Sequence, residues 1–374
     1  MSLDLNALPP MDVAARAARL RDGVDGAGCE ALLVTNLTNI RYLTGFTGSA
    51  ALLLVRADAL VFVTDGRYRD QATDELAGAG VEAAVEVGRT SDEQRDLLAK
   101  AAGGIGRLGL EAEHVRWAQQ QRYDGDWFEA ADLVATTGLV EALRERKDPG
   151  EVARIEAACA VADAALATVR PRLGDGVTEA EFALELETEM RRLGAEGPSF
   201  ETIVASGPNG AKPHHRAGSR RIVDGDLVVV DFGALVGGYH SDMTRTVAVG
   251  VLHPTQQRML EVVTASQAAG VAAVRAGVEA QAVHAVCKAV IAEAGWEDAF
   301  LHGTGHGVGL DIHEPPRLST TPAGTLADGH VVTVEPGVYL PAHGGVRIED
   351  TVVVTSEGCR PLTRAPKEPA LQIP

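Results

Sequence analysis

Residues 224–233 read DGDLVVVDFG, and residues 328–337 read DGHVVTVEPG. Each segment has an Asp-Gly pair, one polar residue, an apolar run, an acid, one further residue and a glycine. The valine-rich runs predict buried strands. Asp231 of the first segment aligns with Glu335 of the second. The sequence therefore contains an internal repeat in which each strand ends on a carboxylate.

A second acid follows in each copy of the repeat. Asp242, within HSDMTRTVAV, comes 11 residues after Asp231, and Glu349, within RIEDTVVV, comes 14 residues after Glu335. A Gly-Gly pair stands in both intervals, at 237–238 and 344–345. We predict that one type of hairpin is used twice, with the acid of each strand near its partner across the ladder.

Four carboxylates collected in one place repel one another, and burying any of them alone is costly. Two divalent cations would neutralise all four charges. Oxygen ligands suit Mn²⁺, Mg²⁺ or Co²⁺, and an added histidine shifts the preference toward the transition metals. The alternative is that the acids are solvated at exposed strand ends and hold nothing. The aligned set favours the metal site.

A histidine-rich segment, HGTGHGVGLDIHE at 302–314, lies between the two copies. In an extended chain His302 and His306 share one face about 13 Å apart, so they cannot both bind one ion. One is then a metal ligand, and the other contacts substrate or a bridging group. The alternating glycines would leave room for a neighbouring backbone or for substrate. KPHH at 212–215 supplies two further histidines.

Several other functions are not supported by the sequence. GPNGAK lacks the spacing of a phosphate-binding loop, and the alternating glycines do not match GxGxxG. The formal charge of −18 argues against nucleic acid as a partner. No apolar run reaches about 18 residues, so we expect no membrane span. The N-terminus does not resemble a signal peptide, and four widely spaced cysteines suit a reducing compartment. We predict a cytoplasmic protein.

The 374 residues, 45% of them hydrophobic, are enough for two domains. Strands alternate with helices in the first third, which predicts an α/β domain with a mixed sheet. A charged connector with a Pro-Gly break at 149–150 places the boundary near residue 145. Beyond it we predict an α+β domain with helices at about 254–276 and 279–294. A further helix begins at a capping box formed by Thr178 and Glu181.

These motifs resemble a known family. VVVDFG…GGYHSDMTRTVAVG, HGTGHGVGLDIHE, VEPGVY and GVRIEDTVVV are similar to the catalytic half of the aminopeptidase P and prolidase group of metallopeptidases. TNLTNIRYLTGFTGSAALLLV and LRERKDPGEVARIEAA resemble the first domain and connector of the same group. The resemblance implies a creatinase-like N-terminal domain at 1–145 and a pita-bread catalytic domain, with a pseudo-two-fold repeat, at 146–374.

The resemblance also implies a role for each site residue. Two divalent metal ions, Mn²⁺ foremost with Zn²⁺ or Co²⁺ as alternatives, would be bridged by Asp242 and Glu349. Asp231 would hold one ion, and His306 and Glu335 the other. Glu335 would be the general base, and His214 rather than His215 would stabilise the tetrahedral intermediate. His302 and His313 would line the substrate pocket. Arg347, two residues before Glu349, is expected to contact the ligands or the substrate.

The function implied is hydrolysis of the bond between an N-terminal residue and proline, with peptides that carry proline second as substrates. The leading prediction is an Xaa-Pro aminopeptidase, and the first alternative is an Xaa-Pro dipeptidase restricted to dipeptides. A non-catalytic binding protein on the same scaffold and a metal-independent creatinase-like hydrolase are more distant alternatives, since no ligand position is lost. The resemblance further implies a homodimer.

Overall fold

The computed structural model describes residues 4–371, apart from the side chain of Asn6. The chain divides into two compact units. One unit is Asp12–Arg144, and the other comprises the described residues of Met1–Met11 and Glu145–Pro374. The division after Arg144 lies beside the boundary expected from the sequence.

The segment before residue 12 departs from the expected domain assignment. The sequence predicts it as part of the first domain, whereas it belongs to the second unit. Arg154 Nη1 donates a hydrogen bond to the carbonyl oxygen of Pro9 at 3.0 Å. Gly150 lies so near this segment that a Cβ would be 2.4 Å from the carbonyl oxygen of Pro10. The start of the helix that carries Gly150 therefore holds the N-terminal segment by contacts to the backbone of Pro9 and Pro10. Such contacts leave no periodic pattern in the sequence.

A six-stranded sheet forms the core of the first unit, in the order β4-β3-β2-β1-β5-β6. Neighbouring strands are antiparallel in β1–β2 and β2–β3, and parallel in the three other pairs. The predicted mixed sheet is confirmed. The strands are β1 Ala31–Val34, β2 Ala51–Arg56, β3 Leu60–Thr64, β4 Ala84–Val87, β5 Arg107–Glu111 and β6 Asp132–Thr136.

The helices of the first unit connect these strands and supply part of its core. Leu98 of the fourth helix packs with Leu33, Leu54 and Leu108 of the sheet. Helices this short are marginally stable on their own, so the burial of their apolar side chains against the sheet supplies most of their stability. The helices are α1 Arg16–Gly26, α2 Leu37–Thr44, α3 Arg69–Gly78, α4 Ser91–Ala101, α5 Trp117–Arg122 and α6 Leu139–Arg144.

Four longer helices belong to the second unit. Thr178 Oγ1 accepts the backbone N–H of Glu181 and the Glu181 carboxylate accepts the backbone N–H of Thr178, which confirms the predicted capping box. The helix after the Pro-Gly break begins in the same way, with Asp148 as its N-cap. The four are α7 Pro149–Val169, α8 Glu179–Arg192, α9 Pro254–Ala273 and α10 Ala280–Glu293.

The strands of the second unit form four small sheets, in the orders β11-β10-β7, β12-β9-β8, β14-β13-β15-β18-β19 and β16-β17. Their interiors are largely valine, isoleucine and leucine. The strands are β7 Gly197–Pro198, β8 Ile203–Ser206, β9 Leu227–Phe232, β10 Ala234–Val236, β11 Tyr239–His240, β12 Met243–Ala248, β13 Gly305–Gly307, β14 Glu314–Leu318, β15 Val331–Val334, β16 Gly337–Leu340, β17 Gly344–Arg347, β18 Asp350–Val354 and β19 Cys359–Pro361.

The predicted repeat is visible in the strand pairing. β9 pairs with β12 around the inner pair β10–β11, and β15 pairs with β18 around the inner pair β16–β17. The left-handed backbone at the first inner turn requires Gly237 and Gly238, whose φ angles are 59° and 79°. A helix pair precedes each copy, α7–α8 and then α9–α10.

The two copies differ in register. Thr244 pairs with Asp231, so Asp231 does not directly face Asp242. In the second copy Val334 pairs with Asp350, which leaves Glu335 and Glu349 together just beyond the ladder. No helix in the described part of the chain is both long and apolar enough to cross a membrane.

Candidate metal centre and active site

A cavity of about 440 Å³ opens in the second unit. All nine residues that the sequence analysis singled out for the site line this cavity. They are His214, Asp231, Asp242, His302, His306, His313, Glu335, Arg347 and Glu349.

The duplicated strands deliver the acids. Asp231 is the next-to-last residue of β9, and Asp242 precedes β12. Glu335 follows β15, and Glu349 precedes β18. Because β9–β12 and β15–β18 are paired strands, each copy of the repeat presents its two acids at one end of its ladder.

His306 lies at the centre of β13 and points its Nε2 atom at carboxylate oxygens. Its Nδ1–H donates to the carbonyl oxygen of Gly307 at 3.0 Å, which leaves a lone pair on Nε2. Nε2 is 3.5 Å from Asp242 Oδ2 and 3.5 Å from Glu335 Oε1. Burial lowers the pKa of His306 to about 3, so the ring is neutral. A neutral nitrogen lone pair that faces carboxylate oxygens at this distance matches a shared cation.

Two acids at the cavity have one oxygen held by the protein and one without a hydrogen-bond partner among the described residues. Glu349 Oε2 accepts a hydrogen bond from Thr244 Oγ1 at 2.7 Å, whereas its buried Oε1 has no partner. Asp231 Oδ2 accepts from Arg347 Nη2, whereas its buried Oδ1 has none. Buried polar atoms are rarely left unpaired. These two oxygens therefore fit the role of metal ligands.

Asp242, His306 and Glu349 each bring one ligand atom within 4.8 Å of the other two. Burial and the neighbouring carboxylates raise the pKa values of Asp242 and Glu349 well above their usual range. Burial raises the pKa of Glu335 to about 7. The donor set thus has the composition and charge that divalent ions require, and the ions would remove the repulsion behind these shifts.

Arg347 is buried, and its guanidinium binds the protein. Besides the contact with Asp231, Nε donates to Thr244 Oγ1 at 3.1 Å and Nη1 donates to Tyr339 Oη at 2.8 Å. Arg347 therefore orients Asp231 and Thr244. Of the two roles expected from the sequence, contact with the ligands is the one that these hydrogen bonds favour.

Tyr339 is a site residue that sequence reasoning missed. His302 Nδ1–H donates to the carbonyl oxygen of Gly303 at 2.7 Å, so its Nε2 accepts the Tyr339 hydroxyl at 2.8 Å. Burial lowers the pKa of His302 to about 4 and raises the pKa of Tyr339 to about 12, so both are neutral. A chain of hydrogen bonds thus runs from Arg347 through Tyr339 to His302. Tyr339 stands in an apolar strand and gives no pattern in the sequence.

The rim of the cavity carries three exposed cationic or titratable side chains, His214, His313 and Arg317. The His313 ring lies 4.3 Å from that of His306, edge to face. His215 points away from the cavity, with Nε2 2.9 Å from Glu179 Oε2. This placement favours His214 over His215 for contact with substrate.

Sequence reasoning also missed Arg317. It lies on β14, where buried and exposed positions alternate, and the strand exposes Arg317 while burying its neighbours Pro316 and Leu318. This alternation is one of burial and not of residue type, since Glu314 is buried and Pro315 is exposed, so the sequence carries no clear signal for Arg317.

The glycines of 302–314 provide clearance, as predicted. A Cβ on Gly305 would lie 2.0 Å from the carbonyl oxygen of Thr333, and a Cβ on Gly307 would lie 2.2 Å from that of Pro315. Real side chains do not approach backbone so closely. The glycines therefore let β13 pack between β14 and β15, which places His306 beside the carboxylates of the cavity.

A buried ion pair fixes the end of the same segment and gives a first prediction. Lys147 Nζ lies 2.5 Å from Glu314 Oε1, with the two side chains 1% and 5% exposed. Lys147→Met is expected to lower the free energy of unfolding by about 3–5 kcal/mol, because it leaves Glu314 as a buried charge without its cation. Urea unfolding measures this change. The double variant Lys147→Met/Glu314→Met should be more stable than the single one, and a single variant as stable as wild type would contradict the prediction.

Comparison with known proteins agrees with a hydrolytic metal centre on a duplicated scaffold. A family model described as Metallopeptidase family M24 matches residues 153–356, and one described as Creatinase/Prolidase N-terminal domain matches residues 16–146. The chain therefore belongs to metallopeptidase family M24. Its fold is that of the family: an N-terminal domain with a mixed sheet, and a pita-bread domain with an internal repeat.

Similar proteins cover almost the whole chain. An uncharacterized peptidase of Bacillus subtilis is 41% identical over 350 residues, which is 94% of this chain and 98% of that protein. The solved structure of an Xaa-Pro dipeptidase from Bacillus anthracis is 38% identical, covers 96% of this chain and 100% of its own, and has a TM-score of 0.92. That of an X-Pro aminopeptidase from Thermotoga maritima is 33% identical, covers 95% and 100%, and has a TM-score of 0.86.

Proposed function

We propose that this enzyme hydrolyses the bond between an N-terminal residue and a following proline, with two divalent metal ions. The observation that carries the proposal is the convergence of four carboxylates and the Nε2 lone pair of His306 on one cavity. Relatives named as Xaa-Pro dipeptidase and X-Pro aminopeptidase support the substrate class. Release of the first residue from an Xaa-Pro peptide by the metal-loaded protein, measured by chromatography, is the direct test. Complete inactivity on all Xaa-Pro peptides would overturn the proposal.

The metal ligands in this proposal are the five residues identified from the sequence. Asp231, Asp242, Glu335 and Glu349 would hold the ions through carboxylate oxygens, and His306 would hold one through Nε2. When bound, the ions would supply Lewis-acid activation of the scissile carbonyl and of water. Thr244 and Arg347 hold Glu349 and Asp231 by hydrogen bonds, so these carboxylates are oriented before metal arrives.

Glu335 is the proposed general base. Its carboxylate lines the cavity with the other acids, where it can take a proton from the attacking water and return it to the leaving group. His302 is held neutral by burial and receives the Tyr339 hydroxyl on Nε2, so it presents an apolar ring edge to the cavity. His214 at the rim would donate a hydrogen bond to the oxygen of the tetrahedral intermediate.

The leading proposal for substrate length is aminopeptidase activity on longer peptides. His214, His313 and Arg317 line the cavity and are exposed, so its rim in this chain is open to solvent. A peptide that continues beyond proline can therefore extend outward. A second candidate, dipeptidase activity, is favoured by Arg317, a cation that can pair with the free carboxylate of a dipeptide. Rates on Xaa-Pro and on Xaa-Pro-Xaa distinguish the two.

Mn²⁺ is the proposed native ion, with Zn²⁺ or Co²⁺ as alternatives, because the ligand set is mostly oxygen with one imidazole. Elemental analysis of the purified protein and reconstitution with each ion would identify it. Activity that survives complete chelation would favour the metal-independent creatinase-like alternative, and a metal-free protein with a binding role would favour the non-catalytic one. We also propose a cytoplasmic homodimer, for which light scattering and cell fractionation are the tests.

Metal binding is expected to depend on pH. The raised pKa values of Asp242, Glu349 and Glu335 mean that the folded metal-free protein binds protons that the unfolded chain has released. Each of these groups therefore stabilises the metal-free fold at low pH and loses that effect as pH rises through its own folded pKa, which is about 7 for Glu335 and well above the usual range for Asp242 and Glu349. A metal ion competes with the same protons. The rise in Tm on adding Mn²⁺ should thus be larger at pH 8 than at pH 6. Equal shifts in differential scanning calorimetry would contradict this.

A further inference from the structure

A buried carboxylate outside the metal centre organises the segment that carries His214. Glu179 is the first residue of α8, and its side chain is fully buried. It accepts hydrogen bonds from four residues of the segment 206–218, which begins at the last residue of β8. The donors are Ser206 N at 2.8 Å, Ser206 Oγ at 2.7 Å, Asn209 Nδ2 at 3.1 Å, His215 Nε2 at 2.9 Å and Gly218 N at 3.2 Å.

Both neighbours of His214 in the chain are held by hydrogen bonds. On one side the adjacent residue His215 is held by Glu179. On the other side Pro213 accepts a hydrogen bond from Arg347 Nη1 through its carbonyl oxygen, at 3.4 Å. Close backbone packing adds to this, because a Cβ on Gly210 would lie 3.0 Å from the backbone nitrogen of Gly345. The segment is thus fastened to α8 and to the second copy of the repeat.

The contacts also require a charged acceptor. A carboxylate offers two oxygens and no donor, which suits donors that arrive from several directions. Burial acts to raise the pKa of Glu179, but the hydrogen bonds from Ser206 and His215 hold it below its usual value. Glutamine would fill the same volume, yet its amide group would face some of these donors with N–H groups of its own. Hydrogen bonding alone therefore favours Glu over Gln at position 179.

We propose that Glu179 is a positioning residue that holds His214 at the rim of the cavity, acting through His215 and the turn at Ser206–Asn209. The inference rests on the proposed function, because His214 is assigned its role there. The positions of the two histidine rings agree with these separate roles. The His215 ring contacts Glu179, whereas the His214 ring is exposed and lines the cavity.

The test compares E179Q, H214A and the double variant on an Xaa-Pro peptide, each loaded with metal. E179Q is expected to lower kcat by about 10- to 100-fold with KM changed little, because a displacement of about 1 Å costs on that order. H214A should lower kcat at least as far, and adding E179Q to H214A should produce no further loss. E185Q, which changes a half-exposed acid of the same helix that pairs with Arg172, should keep wild-type kcat.

Two outcomes would overturn the inference. Fully multiplicative losses in the double variant would show that Glu179 acts on stability or on the metal rather than through His214. A crystal structure of E179Q with residues 206–218 and the His214 ring in their wild-type positions would do the same, and it requires no activity. If wild type itself cleaves no Xaa-Pro peptide, the proposed function fails while the E179Q structure still decides the positioning role. H215A, which removes one donor alone, serves if E179Q does not fold.

Discussion

Glu335→Gln is expected to lower kcat on an Xaa-Pro peptide by about 10²- to 10⁴-fold. The substitution keeps the size of the side chain and one oxygen for the metal. It removes the carboxylate that would accept the proton of the attacking water. It also changes the group 3.5 Å from His306 Nε2, so weaker metal binding is part of the expected result. Initial rates at saturating substrate and metal measure the effect.

Glu357→Gln is a matched control, because Glu357 is an exposed acid in the turn between β18 and β19. It should retain wild-type kcat. Metal content must be measured on both variants, since a loss of ions and a loss of the base lower the rate in different ways. Full activity of Glu335→Gln with two ions bound per chain would contradict the proposed role of Glu335 as general base.

Arg317→Met is expected to separate dipeptides from longer peptides. If the enzyme recognises the carboxylate of a dipeptide, loss of the guanidinium removes a hydrogen-bonded charge pair worth about 1.5–3 kcal/mol. The value of kcat/KM for Xaa-Pro should then fall by about 10- to 100-fold. The value for an Xaa-Pro amide, which has no carboxylate, should change much less. Steady-state rates on the acid and the amide of one peptide measure the difference.

Arg192→Met on α8 controls for the loss of one surface charge, since the Arg192 side chain is 73% exposed. Its rates should match those of wild type on both substrates. Equal losses on the acid and the amide in Arg317→Met would exclude recognition of the carboxylate. No loss on either would remove the observation that favours the dipeptidase alternative and leave the aminopeptidase proposal in place.

The duplicated acids were accessible from the sequence because their signal is local. Asp231 and Glu335 each end a valine-rich run, and Asp242 and Glu349 each precede a second one. A carboxylate at the end of a buried strand is uncommon, so it indicates a functional site. Finding the same pattern in both copies of the repeat strengthens that indication. The capping box at Thr178 and the mixed sheet of the first domain were predictable for the same reason: capping and strand periodicity are short-range properties.

The contacts that complete the site were not predictable, because they join residues distant in the chain. Glu179 meets His215 across 36 residues, and Arg347 meets Asp231 across 116. Tyr339 looks like an ordinary strand residue until Arg347 and His302 are placed beside it. No periodicity encodes such pairs. The attachment of the N-terminal segment to Arg154 is of the same kind.

Because the proposed ligands are divided between two copies of one hairpin, bound metal ions would have a second effect. Asp231 and Asp242 come from the first copy, and Glu335 and Glu349 from the second, with His306 between them in sequence. Ions held by both sets would act as a reversible crosslink, so neither copy could open without giving up the binding free energy of the whole site. In the metal-loaded enzyme the two copies would then unfold as a single cooperative unit. A substitution that destabilises one copy would therefore also lower the stability of the other.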